Sequence, residues 1–128
     1  MKIHDIELRV QKNIKGMRYP TWGDYYIMLD KIIFEVVDHK NDLYTMLTLI
    51  HEMVEYTLLE QRGVPIEKID AFDIAFEKDP VLIQKYGEPG NDPTAPYYHE
   101  HQIAERVAKM MCKRLKIDYE QYNNCLND

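Results

Sequence analysis

Residues 43–62 read LYTMLTLIHEMVEYTLLEQR and form a long stretch with helical periodicity. The apolar residues at positions 43, 47, 50, 54 and 58 recur in steps of three and four, which predicts one amphipathic helix. Asp42 is the expected N-cap, and Gly63 followed by Pro65 predicts the end of the helix. A helix of this length is stabilised mainly by burying its apolar side, so it decides how the rest of the chain packs.

Two segments that precede this helix are rich in β-branched and aromatic residues. Residues 25–29 (YYIML) and 31–37 (KIIFEVV) predict an antiparallel β-hairpin with its turn near Asp30 and Lys31. Residues 2–10 alternate loosely between apolar and polar side chains, which is typical of a strand or a short helix.

Three further helices are expected downstream. The pattern of residues 66–77 predicts the first, and Asp79 with Pro80 predicts an N-cap and first turn for a short helix that ends near Gly87. A last long helix is predicted from Pro96 to about Lys116, capped by Asp92 or Thr94. The expected fold is therefore α+β: a small antiparallel hairpin or sheet packed on three to four helices, in a single domain over residues 1–128.

The composition excludes several classes of protein. A net charge of −6 argues against a nucleic-acid-binding surface. No run of about 18 apolar residues predicts a membrane span, and the first residues lack the apolar region of a signal peptide. Cys112 and Cys125 form no CxxC pattern, which favours reduced thiols in a cytoplasmic protein. The composition does not fix an oligomeric state.

The motif His51-Glu52-Met53-Val54-Glu55 (HExxE) places polar residues on the apolar side of the central helix. At about 100° per residue, His51 lies about 40° from the centre of the apolar stripe and Glu55 lies about 80° from it. A buried imidazole needs a partner, because an unpaired polar group is costly to bury. The partner is either a carboxylate in a purely structural hydrogen bond or a bound metal ion.

The last helix repeats this anomaly. Glu100 falls near the middle of its apolar face, and His101 and His99 fall on opposite edges. If the two long helices pack together, His51, Glu55, Glu100 and His101 converge into a mixed imidazole and carboxylate metal site.

Each of these residues also has an ordinary structural interpretation. Glu100 is a favourable first-turn acid, His99 a solvated residue, and Glu105 either a fourth ligand or a partner of Lys109. Asp70 and Asp73 either accept hydrogen bonds from ligating histidines or face solvent.

The hairpin, the LIHEMVE helix and the downstream HEH helix together resemble a minimal zincin-type metallopeptidase domain over roughly residues 25–110. The chain is also similar to uncharacterised bacterial and prophage proteins with an HELxE-type helix, a DAFD segment and a GEPGDDP…EH segment. The zincin resemblance implies that His51 and Glu55 are metal ligands, Glu52 is the catalytic base, and Glu100 or His101 is the third ligand. It implies zinc, and the carboxylate-rich ligand set makes iron or manganese more competitive.

Three functions are consistent with these residues. The first is a peptidase-like, metal-dependent hydrolase in which strand 31–37 aligns an extended peptide. The second is a non-catalytic interaction or accessory protein, such as a prophage factor, in which the His/Glu cluster is structural. The third is a dinuclear carboxylate site built from the pairs His51/Glu55 and His101/Glu105.

Overall fold

Three strands from the first third of the chain form one mixed sheet. In the computed structural model, which describes residues 5–126, they are β1 (Asp5–Gln11), β2 (Gly23–Met28) and β3 (Lys31–Val37). β3 lies in the centre and pairs antiparallel with β2 and parallel with β1. The predicted hairpin is thus confirmed, and the first predicted element is a strand; its residues 2–4 lie outside the described part of the chain.

The central position of β3 changes one functional expectation. Because β1 and β2 occupy both edges of β3, strand 31–37 cannot align an extended peptide by edge pairing. That prediction is wrong. Within the described residues, the sheet edges belong to β1 and β2.

Five α-helices follow the sheet within residues 5–126, one more than the sequence predicted. They are α1 (Asp42–Arg62), α2 (Ile66–Glu77), α3 (Pro80–Tyr86), α4 (Tyr98–Leu115) and α5 (Tyr119–Cys125). The unpredicted helix is α5. None of the described helices combines the length and the apolar character needed to cross a bilayer.

Side-chain caps mark the start of α1, α3 and α5. The Asn41 side chain accepts hydrogen bonds from the first turn of α1, so Asn41 is the N-cap in place of Asp42. Gly63 ends α1 in the left-handed conformation (φ 78°), as predicted, and Asp79 caps α3. The predicted cap of α4 is wrong, because Asp92 accepts hydrogen bonds from Thr94 and α4 starts without a side-chain cap.

α1 is the centre of the packing. Its buried residues Leu49, Tyr56 and Leu59 belong to one apolar cluster with strand residues of the sheet. α4 runs along another side of α1, and Leu47, Cys112 and Tyr122 form a second apolar cluster that joins α1, α4 and α5. This arrangement leaves a cleft where β2, α1, α4 and the segment after α3 meet.

Candidate metal centre

His51 and His101 meet where α1 packs against α4. His51 Nε2 lies 3.2 Å from His101 Nδ1. Both nitrogens point at the same carboxylate oxygen: Glu55 Oε2 lies 3.2 Å from His51 Nε2 and 3.0 Å from His101 Nδ1. The structure therefore brings together three of the four residues that the sequence predicted as ligands.

The size and chemistry of this triangle fit a metal ion. In a tetrahedral zinc site with bonds of about 2.1 Å, neighbouring ligand atoms lie about 3.4 Å apart, close to the separations of His51 Nε2, His101 Nδ1 and Glu55 Oε2. Imidazole nitrogen and carboxylate oxygen are both ligand atoms that zinc takes, and the centre of the triangle lies close to all three of them. A cation at that point satisfies all three at once, whereas a single proton satisfies one contact at a time.

Two more carboxylates approach the opposite nitrogens of the same imidazoles. Glu105 Oε1 lies 3.6 Å from both His51 Nδ1 and His101 Nε2, and Glu88 Oε1 lies 3.0 Å from His101 Nε2. A ligating histidine usually donates its second N–H to such a carboxylate. His51, His101 and Glu105 also offer ligand atoms within 4.8 Å of one another and could hold a metal ion themselves.

Two tyrosines fix the carboxylates. The Tyr25 hydroxyl, on β2, donates to Glu55 Oε1 at 2.9 Å, which leaves Oε2 for the two histidines. The Tyr119 hydroxyl, on α5, donates to Glu105. Sequence reasoning missed both tyrosines and Glu88, because helical periodicity gives no information about a strand partner, a loop residue or a helix that was not predicted.

Hydrogen bonds within the cluster shift the pKa values of Glu55 and His101 in opposite directions. Burial alone would raise the pKa of Glu55, but hydrogen bonds from His101 and His51 outweigh burial and lower it to about 2. Burial alone would lower the pKa of His101, but hydrogen bonds to Glu55 and Glu88 raise it well above its ordinary value. Both shifts favour the ion pair between the Glu55 carboxylate and the protonated His101 imidazole.

Glu52 lies beside this cluster in the cleft. Burial raises the pKa of its carboxyl group well above the ordinary value, and repulsion from Glu55 and Asp24 raises it further. Gly23 makes room for it, because a Cβ atom there would lie 2.5 Å from Glu52 Oε1. A buried carboxyl group with a perturbed pKa next to a candidate metal site is a candidate for proton transfer.

Gly90 makes room for His101 in the same way. A Cβ atom at Gly90 would lie 2.5 Å from both Cγ and Nδ1 of the imidazole ring, so the glycine lets the 88–91 turn pack against His101. The sequence marked this segment only as an irregular connector. A ring in a packed core gives way less easily than the end of a flexible side chain.

Replacing Gly90 by alanine is therefore expected to displace the His101 ring and weaken metal binding by about 10- to 100-fold, the range found for residues that orient ligands. Competition against a chromogenic chelator measures the affinity. Gly16→Ala is the matched control, since its Cβ would meet only the flexible Gln11 side chain. Equal affinities for the two variants would contradict the role of Gly90.

The structure places Glu100 outside the cluster. The Arg62 guanidinium donates to both of its oxygens, at 3.2 and 2.7 Å, and also to the Pro96 carbonyl. A bidentate arginine partner explains how a carboxylate sits in the apolar face of α4. His99 is exposed to solvent, in line with its structural interpretation.

Asp70 and Asp73 bind other groups than the histidines. Arg18 donates to both oxygens of Asp70, at 3.3 Å each. Asp73 is buried and accepts hydrogen bonds from the Tyr19 and Tyr97 hydroxyls. Both aspartates nonetheless line the same cleft as the cluster.

The cleft has a volume of about 620 Å³, large enough for several residues of a peptide or a small organic molecule. Eight carboxylates line it, and no lysine or arginine does among the described residues: Asp24, Glu52, Glu55, Asp70, Asp73, Glu77, Glu88 and Glu105. Trp22, Tyr19 and Tyr86 add aromatic surface. This lining favours a cation or a positively charged ligand.

Comparison of the chain with protein-family models, curated proteins and solved structures found no significant match. The geometry of the site is therefore the basis for a proposed function.

Proposed function

We propose that the protein is a metal-dependent hydrolase of the zincin-like type, with zinc held by His51, Glu55 and His101. The observation that carries this proposal is the triangle of His51 Nε2, Glu55 Oε2 and His101 Nδ1, with sides of 3.0 to 3.2 Å, at the wall of an open cleft. The resemblance of the HExxE helix and the HEH helix to zincins supports it.

The residues around the triangle have matching roles. Tyr25 orients Glu55, and Glu88 and Glu105 orient the two imidazoles through their second nitrogens. When bound, the metal would lower the pKa of a water molecule in the cleft. Glu52 lies beside this position, where it would take up a proton from the water and give it to the leaving group.

An extended peptide is the substrate that the cleft fits best. β2 is an edge strand, and its residues Gly23, Asp24 and Tyr25 line the cleft. A peptide paired with this edge would lie beside Glu52. The acidic lining favours peptides that carry basic side chains.

A structural metal site is the second candidate function. The triangle joins α1 to α4, and Glu55 and His101 are only 5 and 6% exposed, as is usual for a closed structural site. In this case the protein is an accessory factor in which the metal fastens two helices. Both candidates predict that chelation lowers the melting temperature, so only turnover separates them.

The first experiment measures metal and activity together. Protein purified without added metal should contain one ion per chain by elemental analysis; two ions would favour the dinuclear site. The zinc-loaded protein should cleave a quenched fluorescent library of basic peptides, and dialysis against a chelator should stop cleavage. A metal-loaded protein that cleaves no member of the library would contradict the hydrolase and leave the structural site.

A matched pair of variants identifies the carboxylate ligand. Glu55→Gln is expected to weaken zinc binding much more than Glu105→Gln, because Glu55 contacts both histidines at 3.0 to 3.2 Å and Glu105 only at 3.6 Å. A residue that orients a ligand contributes about 10- to 100-fold in affinity. An equal or larger loss in Glu105→Gln would make Glu105 the ligand instead.

A further inference from the structure

The face of the sheet that packs against α1 continues onto β1 without being covered. In the register of the parallel pair, Ile6, Leu8 and Val10 lie beside β3 residues that are at most 4% exposed. Directly paired residues point to the same face of a sheet. On β1, however, the same face is 55 to 61% exposed.

α1 adds a second apolar surface on the same side of the molecule. Ile50, Met53, Val54, Thr57 and Leu58 line a shallow groove that is almost entirely apolar. Ile50 and Thr57 lie roughly 140° to 160° around the helix from Glu52, so the groove faces away from the cleft. β1 likewise forms the sheet edge opposite β2, the strand beside the cleft. Both apolar surfaces therefore lie on the side of the molecule away from the cleft.

The outer edge of β1 is protected only by the charged side chains Asp5, Glu7 and Arg9. Within residues 5–126, β1 pairs only with β3, so its outer row of backbone groups has no strand partner, although the Ile6 N–H donates to the Asp5 side chain. β1 has seven residues and no proline, and its side chains on the α1 side are all apolar. Strands of this kind pair readily with another strand.

The sequence of β1, DIELRVQ, is complementary to itself when two copies run antiparallel. With the twofold axis at Leu8, Ile6 faces the partner's Val10, and Glu7 faces the partner's Arg9. A twofold interface repeats each contact, so the pair of Glu7 with the partner's Arg9 occurs twice. A register centred on Glu7 or on Arg9 would instead place like charges opposite each other.

We propose that two copies of this chain form a twofold dimer by antiparallel pairing of β1 about Leu8. The two sheets join into one of six strands, and the six apolar side chains of the paired strands lie on the side of the α1 grooves. The surface area that strand pairing alone buries is small for a stable interface, and contacts between the apolar grooves would enlarge it. The cleft and its metal ligands lie away from this interface, so the dimer does not depend on the proposed hydrolase.

Sedimentation of the full chain tests the dimer. The wild type should sediment at twice the 15.3 kDa of one chain. Leu8→Lys places two cations on the twofold axis and should sediment as a monomer with an unchanged circular dichroism spectrum. Leu29→Lys is the matched control: Leu29 is 90% exposed in the β2–β3 turn, and this variant should remain a dimer.

Three results would overturn the proposal. They are a wild type that is monomeric at high micromolar concentration, a Leu8→Lys protein that stays dimeric, or a Leu29→Lys protein that dissociates. A monomeric wild type that gains a bound peptide along β1 would instead identify the edge as a site for another protein.

A disulfide scan tests the register. Residues directly opposite in an antiparallel pair have Cα atoms about 4.5 to 5.5 Å apart, within the range of a disulfide. In a Cys125→Ser background, Leu8→Cys should therefore form a covalent dimer on mild oxidation with diamide. Val10→Cys should not, because it faces the partner's Ile6. Equal cross-linking of the two variants, or none at position 8, would rule out pairing about Leu8.

Discussion

Replacement of Glu52 by glutamine is expected to leave zinc bound and reduce hydrolysis by about 10²- to 10⁴-fold, the contribution of a positioned general base. Glutamine has nearly the same shape but cannot accept the proton of the attacking water. The three proposed ligands keep their contacts, so the affinity for zinc should be close to that of the wild type. Peptide cleavage and elemental analysis on the same preparation measure both quantities.

The stability of this variant provides a second check. Because burial and the neighbouring carboxylates disfavour the charged form of Glu52, the neutral glutamine should leave the melting temperature unchanged or raise it. Glu77→Gln is the matched control, since it makes the same change in another acidic residue that lines the cleft. Glu52→Gln with full activity, or Glu77→Gln with the same loss, would rule out Glu52 as the base.

The helix boundaries that the sequence predicted well are those next to residues that act directly on the backbone. α2 and α3 begin and end within one residue of the expected positions, because proline, glycine and Asp79 act on the backbone next to them. β1 carries no local signal for its partner, because the residues that pair between β1 and β3 lie about 25 positions apart in the chain. α5, with seven residues, is too short for its apolar period to be read reliably.

Helical periodicity also explains which candidate metal ligands could be predicted from the sequence. His51, Glu55 and His101 lie on or beside helix faces that ought to be apolar, so periodicity marked all three, and the HExxE motif pointed to the first two. Glu100 gave the same signal for another reason, because its partner Arg62 lies 38 positions away at the end of α1. A helical wheel shows that a buried carboxylate needs a partner; it does not show whether the partner is a metal or a guanidinium.

Glu88 belongs to the site but has no signal in the sequence. It lies in the loop between α3 and α4, where no periodicity marks it, yet it hydrogen-bonds to His101. Its position depends on Gly90, which lets the loop approach the ring. The second contacts of metal ligands often come from such loops, so the sequence located the centre of the cluster and missed its surroundings.

Asp73 is expected to make the protein less stable as the pH rises from about 4 to 7. Burial raises the pKa of its carboxyl group from 3.8 to about 7, and repulsion from Glu55 and Asp70 adds to this, although hydrogen bonds from Tyr97 and Tyr19 oppose it. The folded protein therefore binds a proton that the unfolded chain has lost over this range. The stabilisation is fully present below the pKa that Asp73 has in the unfolded chain. It is lost as the pH rises through the pKa that Asp73 has in the folded protein.

The pKa of Asp73 is roughly three pH units higher in the folded protein than in the unfolded chain. At about 1.4 kcal/mol for each pH unit, this difference changes the free energy of unfolding by about 4 kcal/mol in total. Asp73→Asn should remove it, so the stability of the variant relative to the wild type should rise by up to about 4 kcal/mol between pH 4 and pH 8. Urea unfolding at a series of pH values, with chelator present in every sample, measures the difference and keeps the metal from contributing.

Tyr97→Phe tests the cause of the shift. The Tyr97 hydroxyl donates to Asp73 and stabilises its charged form, so its removal should raise the pKa of Asp73 further. The loss of stability should then extend above pH 7 in this variant, and it should disappear again in the Tyr97→Phe/Asp73→Asn double variant. If Asp73→Asn keeps the wild-type pH dependence, the buried carboxyl group is not its source, and a pH dependence unmoved by Tyr97→Phe would show that this hydrogen bond does not set the pKa.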